Sequence, residues 1–201
     1  MIGDQPLKPR RDEERGITAV IPGAGRSQRF GSFKLIAPID REPLVARTIA
    51  SVCDAGVRRI VLVLAPDSPA AELPLLRDPR ITIVLNREPE RGMFSSIQTG
   101  LAAAAGSDIL LLPADMPFVR TETIAAVADA ALARRCAVVP AYEGRRGHPL
   151  AIPAELVPGI CAYDPAGTLK NALRSLGAEL VSIPVDDRGV VRDVDVPADL
   201  L

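Results

Sequence analysis

ITAVIPGAGRSQRFGSFK, residues 17–34, is the stretch on which the fold turns. Its first six residues are apolar apart from Thr18 and stop at Pro22-Gly23. A run so short and so uniformly apolar reads as a strand buried on both faces. The segment that follows is rich in glycine and basic residues. Glycines let the backbone approach a ligand closely and aim successive N–H groups at one anion. Arg26, Arg29 and Lys34 add three cations within nine residues. Together these features describe a phosphate cradle. It is not a Walker A loop, because Gly31 is followed by Ser32-Phe33-Lys34. It is not a complete dinucleotide fingerprint either: Gly23 and Gly25 fit, but Gln28 takes the place of the third glycine. A glycine turn carrying solvated basic residues is the plain structural alternative.

The pattern repeats outward from this point. Apolar runs at 59–65, 81–85, 108–114 and 136–141 read as further buried strands. Between them lie helical patterns. One opens at Pro43, carries Leu44, Ile49 and Val52 on its apolar side, and ends at Gly56. A short, proline-limited one covers 70–77, and a longer one 95–105. Another covers 121–134, with Thr121 as N-cap and Glu122 in the first turn. Towards the end, 149–153 and 179–184 read as strands, 167–176 as a helix, and 197–201 as a final turn. Apolar strands alternating with helices predict an α/β fold: a three-layer α/β/α arrangement with a mostly parallel sheet. Residues 1–15 read as a disordered, charged tail and 16–201 as a single domain. Ligands of such sheets bind beyond the carboxyl ends of the strands, so the loops beginning at Gly23, Asn86, Pro113 and Ala141 should share one edge.

Composition narrows the function classes. The 201 residues hold 24 Lys plus Arg and 25 Asp plus Glu, a formal net charge of -1, so a general polyanion binder is excluded and no nucleic acid partner is expected. Aromatic residues make up 3%, with no Trp, which argues against base-stacking platforms. Cys53, Cys136 and Cys161 are far apart and form no CxxC pair, as expected of reduced thiols in a cytoplasmic protein. No secretory signal and no membrane span are expected.

The acidic residues come next. Asp115 follows a buried strand in LLLPADMP, so its carboxylate sits on a rigid support beside the phosphate cradle. That pairing suits Mg²⁺, which takes one or two carboxylates plus phosphate oxygens. Capping of the turn before Pro117 is the alternative. Asp193 and Asp195 lie two apart in VVRDVDVPADL and, on a strand, would face the same side. A cation between them or a solvated edge would each relieve their repulsion. His148 is the only histidine, which excludes a histidine metal cluster. We expect its ring to be hydrogen-bonded in the turn before Pro149.

These residues carry a resemblance. PGAGRSQRFGSFKL (22–35) resembles the LAAGxSxRMGxxKL signature of small nucleotidyltransferases, and LLPADMPFV (111–119) their LxDMPxV segment. GMFSSIQTGL (92–101), GRRGHPLAI (144–152) and DVDVPADL (193–200) are similar to segments of the molybdenum cofactor cytidylyltransferases, relatives of the molybdopterin-guanine dinucleotide enzymes. The five motifs occur in order from about residue 17 to the end. The resemblance implies a Rossmann-like nucleotidyltransferase fold and transfer of CMP from CTP to a phosphorylated acceptor, the molybdopterin cofactor, with Mg²⁺ and release of pyrophosphate. It implies nucleotide contacts from Gly23, Ala24, Gly25, Ser27, Arg29, Lys34, Ser95 and Ser96. Arg29, Lys34 and Asp115 are the implied catalytic residues. Metal would be held by Asp115 with Asp193 or Asp195. Arg146, His148 and Lys170 are the implied acceptor contacts. Transient contact with a cofactor-receiving enzyme is the further partner expectation. The chain departs from the pattern at Pro22, Gly23 and Ala114. It also has DPAGTLKN near residue 164, where relatives often read GDxGAR; Lys170 stands in for the missing arginine. GTP as donor, or another phosphorylated metabolite as acceptor, stays open. Two readings of other classes compete: an NAD(P)-dependent oxidoreductase, disfavoured by Gln28, and a nucleotide-binding module without turnover.

Overall fold

The computed structural model describes residues 16–25, 30 and 33–200. Its central strand is β1 (Ile17–Pro22), buried at every position. Side chains alternate along a strand, so Ile17, Ala19 and Ile21 enter one core cluster and Val20 the other. With a core on each face, both sets must be apolar, which is why the sequence shows a continuous run.

The remaining elements follow in chain order. A two-stranded hairpin, β2 (Pro38–Ile39) and β3 (Glu42–Pro43), leads into α1 (Leu44–Asp54). Then come β4 (Arg59–Leu64), β5 (Ile81–Leu85), α2 (Met93–Ala103), β6 (Asp108–Leu111), α3 (Thr121–Arg134) and β7 (Ala137–Tyr142). The chain ends with β8 (Arg145–Arg146), β9 (Leu150–Ile152), α4 (Val157–Cys161), α5 (Leu169–Ser175) and β10 (Leu180–Pro184). The main sheet runs β10-β7-β9-β6-β1-β4-β5, with β8 attached to β7. Pairs among β1, β4, β5 and β6 are parallel, as is β7 with β10. Strand β9 is antiparallel to both β6 and β7. Helices α1 and α3 cover one face and α2 with α4 and α5 the other. Among the described residues no helix is long and apolar enough to cross a membrane.

Most of the expected elements are present, and the differences have physical causes. Gly56 does end α1. It has φ +81, its N–H donates to the Cys53 carbonyl, and the Val57 N–H reaches back to Val52, the six-to-one closure of a helix C-terminus. Thr121 is not an N-cap. The cap position belongs to Arg120, whose guanidinium has no acceptor to offer the free N–H groups of the first turn, while its own N–H donates to the distant Asp187 carboxylate (2.9 Å). The helix expected over 70–77 is two separate 3-10 turns, Pro69–Glu72 and Pro74–Arg77, since Pro74 cannot donate to a continuous ladder. The two small hairpins escaped the sequence reading. Their turns, Asp40-Arg41 and Glu143-Gly144, have positive φ at both residues without the usual Asn-Gly signal.

Helix α2 lies unusually close to the sheet. A Cβ on Gly100 would stand 2.4 Å from Val20 Cγ1 and 2.9 Å from Val63 Cγ2. In a helix interior Gly→Ala alone gains about 1 kcal/mol. Here the overpacking, typically about 1–3 kcal/mol, should prevail, because neither valine can swing away. Gly100→Ala is therefore expected to lower the urea midpoint; a raised midpoint would show that α2 rides further from β1.

Candidate active site

The parallel strands bring the loops after β1, β5, β6 and β7 to one edge, as the alternating pattern required. Two hydrogen bonds carry the ladder beyond the strand ends: Gly23 N–H to the Val63 carbonyl (2.8 Å) and Ala114 N–H to the Pro22 carbonyl (3.0 Å). Gly23 is wedged in place. A Cβ there would lie 2.9 Å from Leu35 Cδ1 and 3.1 Å from Ala114 Cβ. Ala24 is buried, and Gly25 faces open space. Ser27 and Arg29 lie outside the described residues.

Lys34 opens a 3-10 turn, Lys34–Ile36, that places its ammonium against the end of β6. Its Nζ donates to Asp115 Oδ2 at 2.7 Å and stands 3.5 Å from Asp195 Oδ1. Two carboxylates far apart in sequence thus converge on one cation. Asp115 is committed to this cluster rather than to the turn before Pro117. Asp193 and Asp195 do not lie on a strand. Their extended segment is held by the fully buried Val194, whose N–H donates to the Asp115 carbonyl (2.9 Å). The alternation still operates: Val194 points in, Asp195 meets Lys34, and Asp193 lines the adjoining cavity.

That cavity, of about 730 Å³, is lined by Asp115, Met116 and Asp193, by Met93 and Phe94, by the 145–148 segment and by Lys170. A second pocket of about 270 Å³ lies along Gly23, Gly25 and Lys34 and reaches Asp67 and Ser68. A small cavity of about 60 Å³ shares Pro22, Met93 and Asp115 with the first and Gly23, Gly25 and Lys34 with the second. Two chambers therefore flank the lysine–carboxylate cluster. Such an arrangement can hold two ligands end to end and manage negative charge where they meet.

His148 lines the large cavity with its Nδ1 buried and without a hydrogen-bond partner. Burial pushes the imidazole below its ordinary value. The Leu111 carbonyl and the Asp115 and Asp193 carboxylates pull the other way. Arg146 is tied through Nε to Ser182 Oγ (2.9 Å), while Lys170 is exposed on the cavity wall. Ser95 and Ser96 are buried, and both hydroxyls accept from Asn86 Nδ2 (2.9 and 3.0 Å). Asn86 Oδ1 in turn accepts the Glu88 N–H, so this network shapes the turn leading into α2. Arg91 and Arg145 also line the large cavity, and their sequence context does not single them out. In sequence Asn86 reads only as a loop start, for no spacing rule links it to two serines nine and ten residues on.

Among the described residues no three His, Cys, Asp or Glu side chains are placed to hold a metal by themselves. Asp115 and Asp195, already gathered around a cation, supply hard oxygen donors of the kind that bind Mg²⁺ jointly with phosphate oxygens.

Comparison with known proteins agrees with this geometry. The family model described as "MobA-like NTP transferase domain" matches residues 19–181. The molybdenum cofactor cytidylyltransferase of Escherichia coli (strain K12) is 22% identical over 185 residues, 92% of this chain and 94% of that protein. A probable molybdenum cofactor guanylyltransferase of Haloferax mediterranei is 30% identical over 112 residues, 55% of this chain and 53% of that protein. The 2-C-methyl-D-erythritol 4-phosphate cytidylyltransferase of Nocardia farcinica is 29% identical over 197 residues, 94% of this chain and 74% of that protein. Among solved structures, a nucleotidyl transferase from Methanothermobacter superposes with a TM-score of 0.75 at 22% identity, covering 91% of this chain and 93% of its own. A manganese complex of a Mycobacterium tuberculosis protein superposes with a TM-score of 0.68 at 21% identity, covering 91% of each chain. The matched segment runs from the middle of β1 into β10 and takes in the glycine loop, Lys34 and Asp115, and the chain accordingly belongs to the MobA-like NTP transferase family and is a nucleotidyltransferase.

Proposed function

We propose that the chain transfers CMP from CTP to the phosphate of an acceptor of the molybdopterin cofactor type and releases pyrophosphate, with Mg²⁺ as metal. The observation that carries this reading is the meeting of Lys34, Asp115 and Asp195 between two chambers. The names of the relatives favour cytidylyl transfer, with guanylyl transfer as the nearest alternative. An acceptor phosphate oxygen attacks the α-phosphorus of CTP. The bond from that phosphorus to the oxygen bridging to the β-phosphate breaks, and the electron pair leaves with pyrophosphate. The acceptor phosphate is already a nucleophile, so no general base is needed. The task is orientation and charge neutralisation.

In this reading the Gly23–Gly25 backbone, with Ser27 and Arg29, receives the triphosphate. Lys34 exchanges a carboxylate contact for a phosphate oxygen as the nucleotide enters. Asp115, with Asp195 or Asp193, holds the metal. When bound, the metal supplies charge neutralisation at the reacting phosphates. Lys170, His148 and the 145–146 pair face the acceptor in the large cavity. A cytoplasmic setting, with hand-over to a cofactor-receiving enzyme, follows from the same reading.

The direct test measures pyrophosphate release with CTP, GTP or ATP, with and without molybdopterin. Release that requires CTP, molybdopterin and Mg²⁺ is the expected result. Release with GTP alone would transfer the assignment to guanylyl chemistry. Asp115→Ala is expected to lower turnover by about 10²–10³ or more, the usual loss for one preorganised charge contact, while circular dichroism shows an intact fold. Turnover near wild type at saturating Mg²⁺ would remove Asp115 from the reaction. Lys34→Ala should raise KM for the nucleotide and lower kcat together.

A pH prediction follows from His148. Its folded-state value is depressed by burial, so the unfolded chain binds the proton more readily. The stability associated with the neutral ring is complete above the ordinary histidine value of about 6.5 and is lost as pH falls below it towards the folded-state value. Since this is the only histidine, the urea midpoint should fall between about pH 7.5 and 5.5, and His148→Gln should flatten that dependence. An unchanged slope in the variant would assign the effect elsewhere.

A further inference from the structure

Residues 187–195 form a strap across the loops that follow β6 and β8. It touches the 115–120 loop repeatedly. Asp187 Oδ2 accepts the Arg120 N–H (2.9 Å), Asp187 Oδ1 accepts the Gly189 N–H (2.9 Å), and the Asp186 carbonyl accepts Arg120 Nη1 (2.9 Å). Further along, the Arg192 guanidinium lies 4.0 Å over the Phe118 ring. The Val194 N–H then reaches the Asp115 carbonyl. On its other side the strap receives the His148 N–H at the Val190 carbonyl (2.8 Å). Both contacts are made at van der Waals limits. A Cβ on Gly189 would lie 2.0 Å from the Phe118 carbonyl oxygen, and one on Gly147 2.0 Å from the Val190 carbonyl oxygen.

Asp187 is 3% exposed, a buried carboxylate whose two oxygens are each taken by a backbone N–H. Burying such a group is costly unless it is fully hydrogen-bonded; one of its bonds shapes the start of the strap at Gly189 and the other joins it to the loop that carries Asp115. The far end of the same strap carries Asp193 and Asp195. We propose that Asp187 is a positioning residue for the metal-binding carboxylates: it registers the strap against the 115–120 loop so that Asp193 and Asp195 arrive beside Asp115 and Lys34. It touches neither metal nor substrate. This inference rests on the metal assignment made above.

The experiment is calorimetric titration of Mn²⁺ into the full chain with CTP present, for wild type, Asp187→Asn and Asp187→Ala. CTP binding in EDTA and the thermal midpoint of each protein are measured alongside. Asparagine keeps the shape and one acceptor; alanine keeps neither. The expected result is a metal affinity about tenfold weaker in Asp187→Asn and weaker again in Asp187→Ala, in line with losses at groups that orient metal ligands. CTP binding in EDTA should be unchanged at a temperature where each variant is folded. Metal affinity equal to wild type in both variants would overturn the positioning role and leave the metal assignment standing. A loss of metal affinity matched by an equal loss of CTP binding in EDTA would overturn it too, showing general damage to the fold. Absence of Mn²⁺ binding by wild type would overturn the metal assignment and this inference with it.

Discussion

Strand β1 is enclosed above, below and on both edges, and this enclosure organises the rest of the molecule. Its backbone ladders to β4 on one side and β6 on the other. Its side chains divide between two cores, so helices must cover both faces. A strand in that position has no freedom to slip, since a one-residue shift would exchange its two side-chain sets. The loop that leaves it is therefore delivered to a defined point beside the end of β6. Gly23 is the residue that lets the loop turn there, squeezed between Leu35 and Ala114.

What gathers at that point is charge, and its purpose is not stability. The Lys34–Asp115 pair is 12% and 18% exposed. For so largely buried a pair the desolvation cost offsets most of the attraction, whereas one fully buried leucine such as Leu110 contributes about 1.5–3 kcal/mol. The fold would lose little if the cluster were neutral. Carboxylates from separate segments meet at one ammonium between two cavities, leaving an excess of negative charge that a cation would balance. Membership of the MobA-like NTP transferase family says which broad chemistry that serves.

The last stretch of the chain works by a different principle from the sheet. It contributes no strand at the site, although Val190 and Val194 anchor it in the core. Its register is set further by buried polar bonds from Asp187 and by two close glycine contacts. One of those bonds also fixes the entry to α3, since the N–H of its cap residue Arg120 is satisfied from 67 residues away.

The sequence by itself determined the layered α/β fold, because apolar runs and helical periods are local signals of burial on two faces. It also placed the glycine loop, Asp115 and the shared loop edge, since a parallel sheet leaves no other end for them. Tertiary structure alone decided which partners meet. Nothing local predicts that Lys34 binds both Asp115 and Asp195, that Asn86 claims the hydroxyls of Ser95 and Ser96, or that the Arg120 N–H donates to Asp187. Nor could it show that β9 runs antiparallel between β6 and β7. Periodicity reports which face of an element is buried. Polar pairing between distant segments depends on where the whole chain returns, and no short window of residues contains that information.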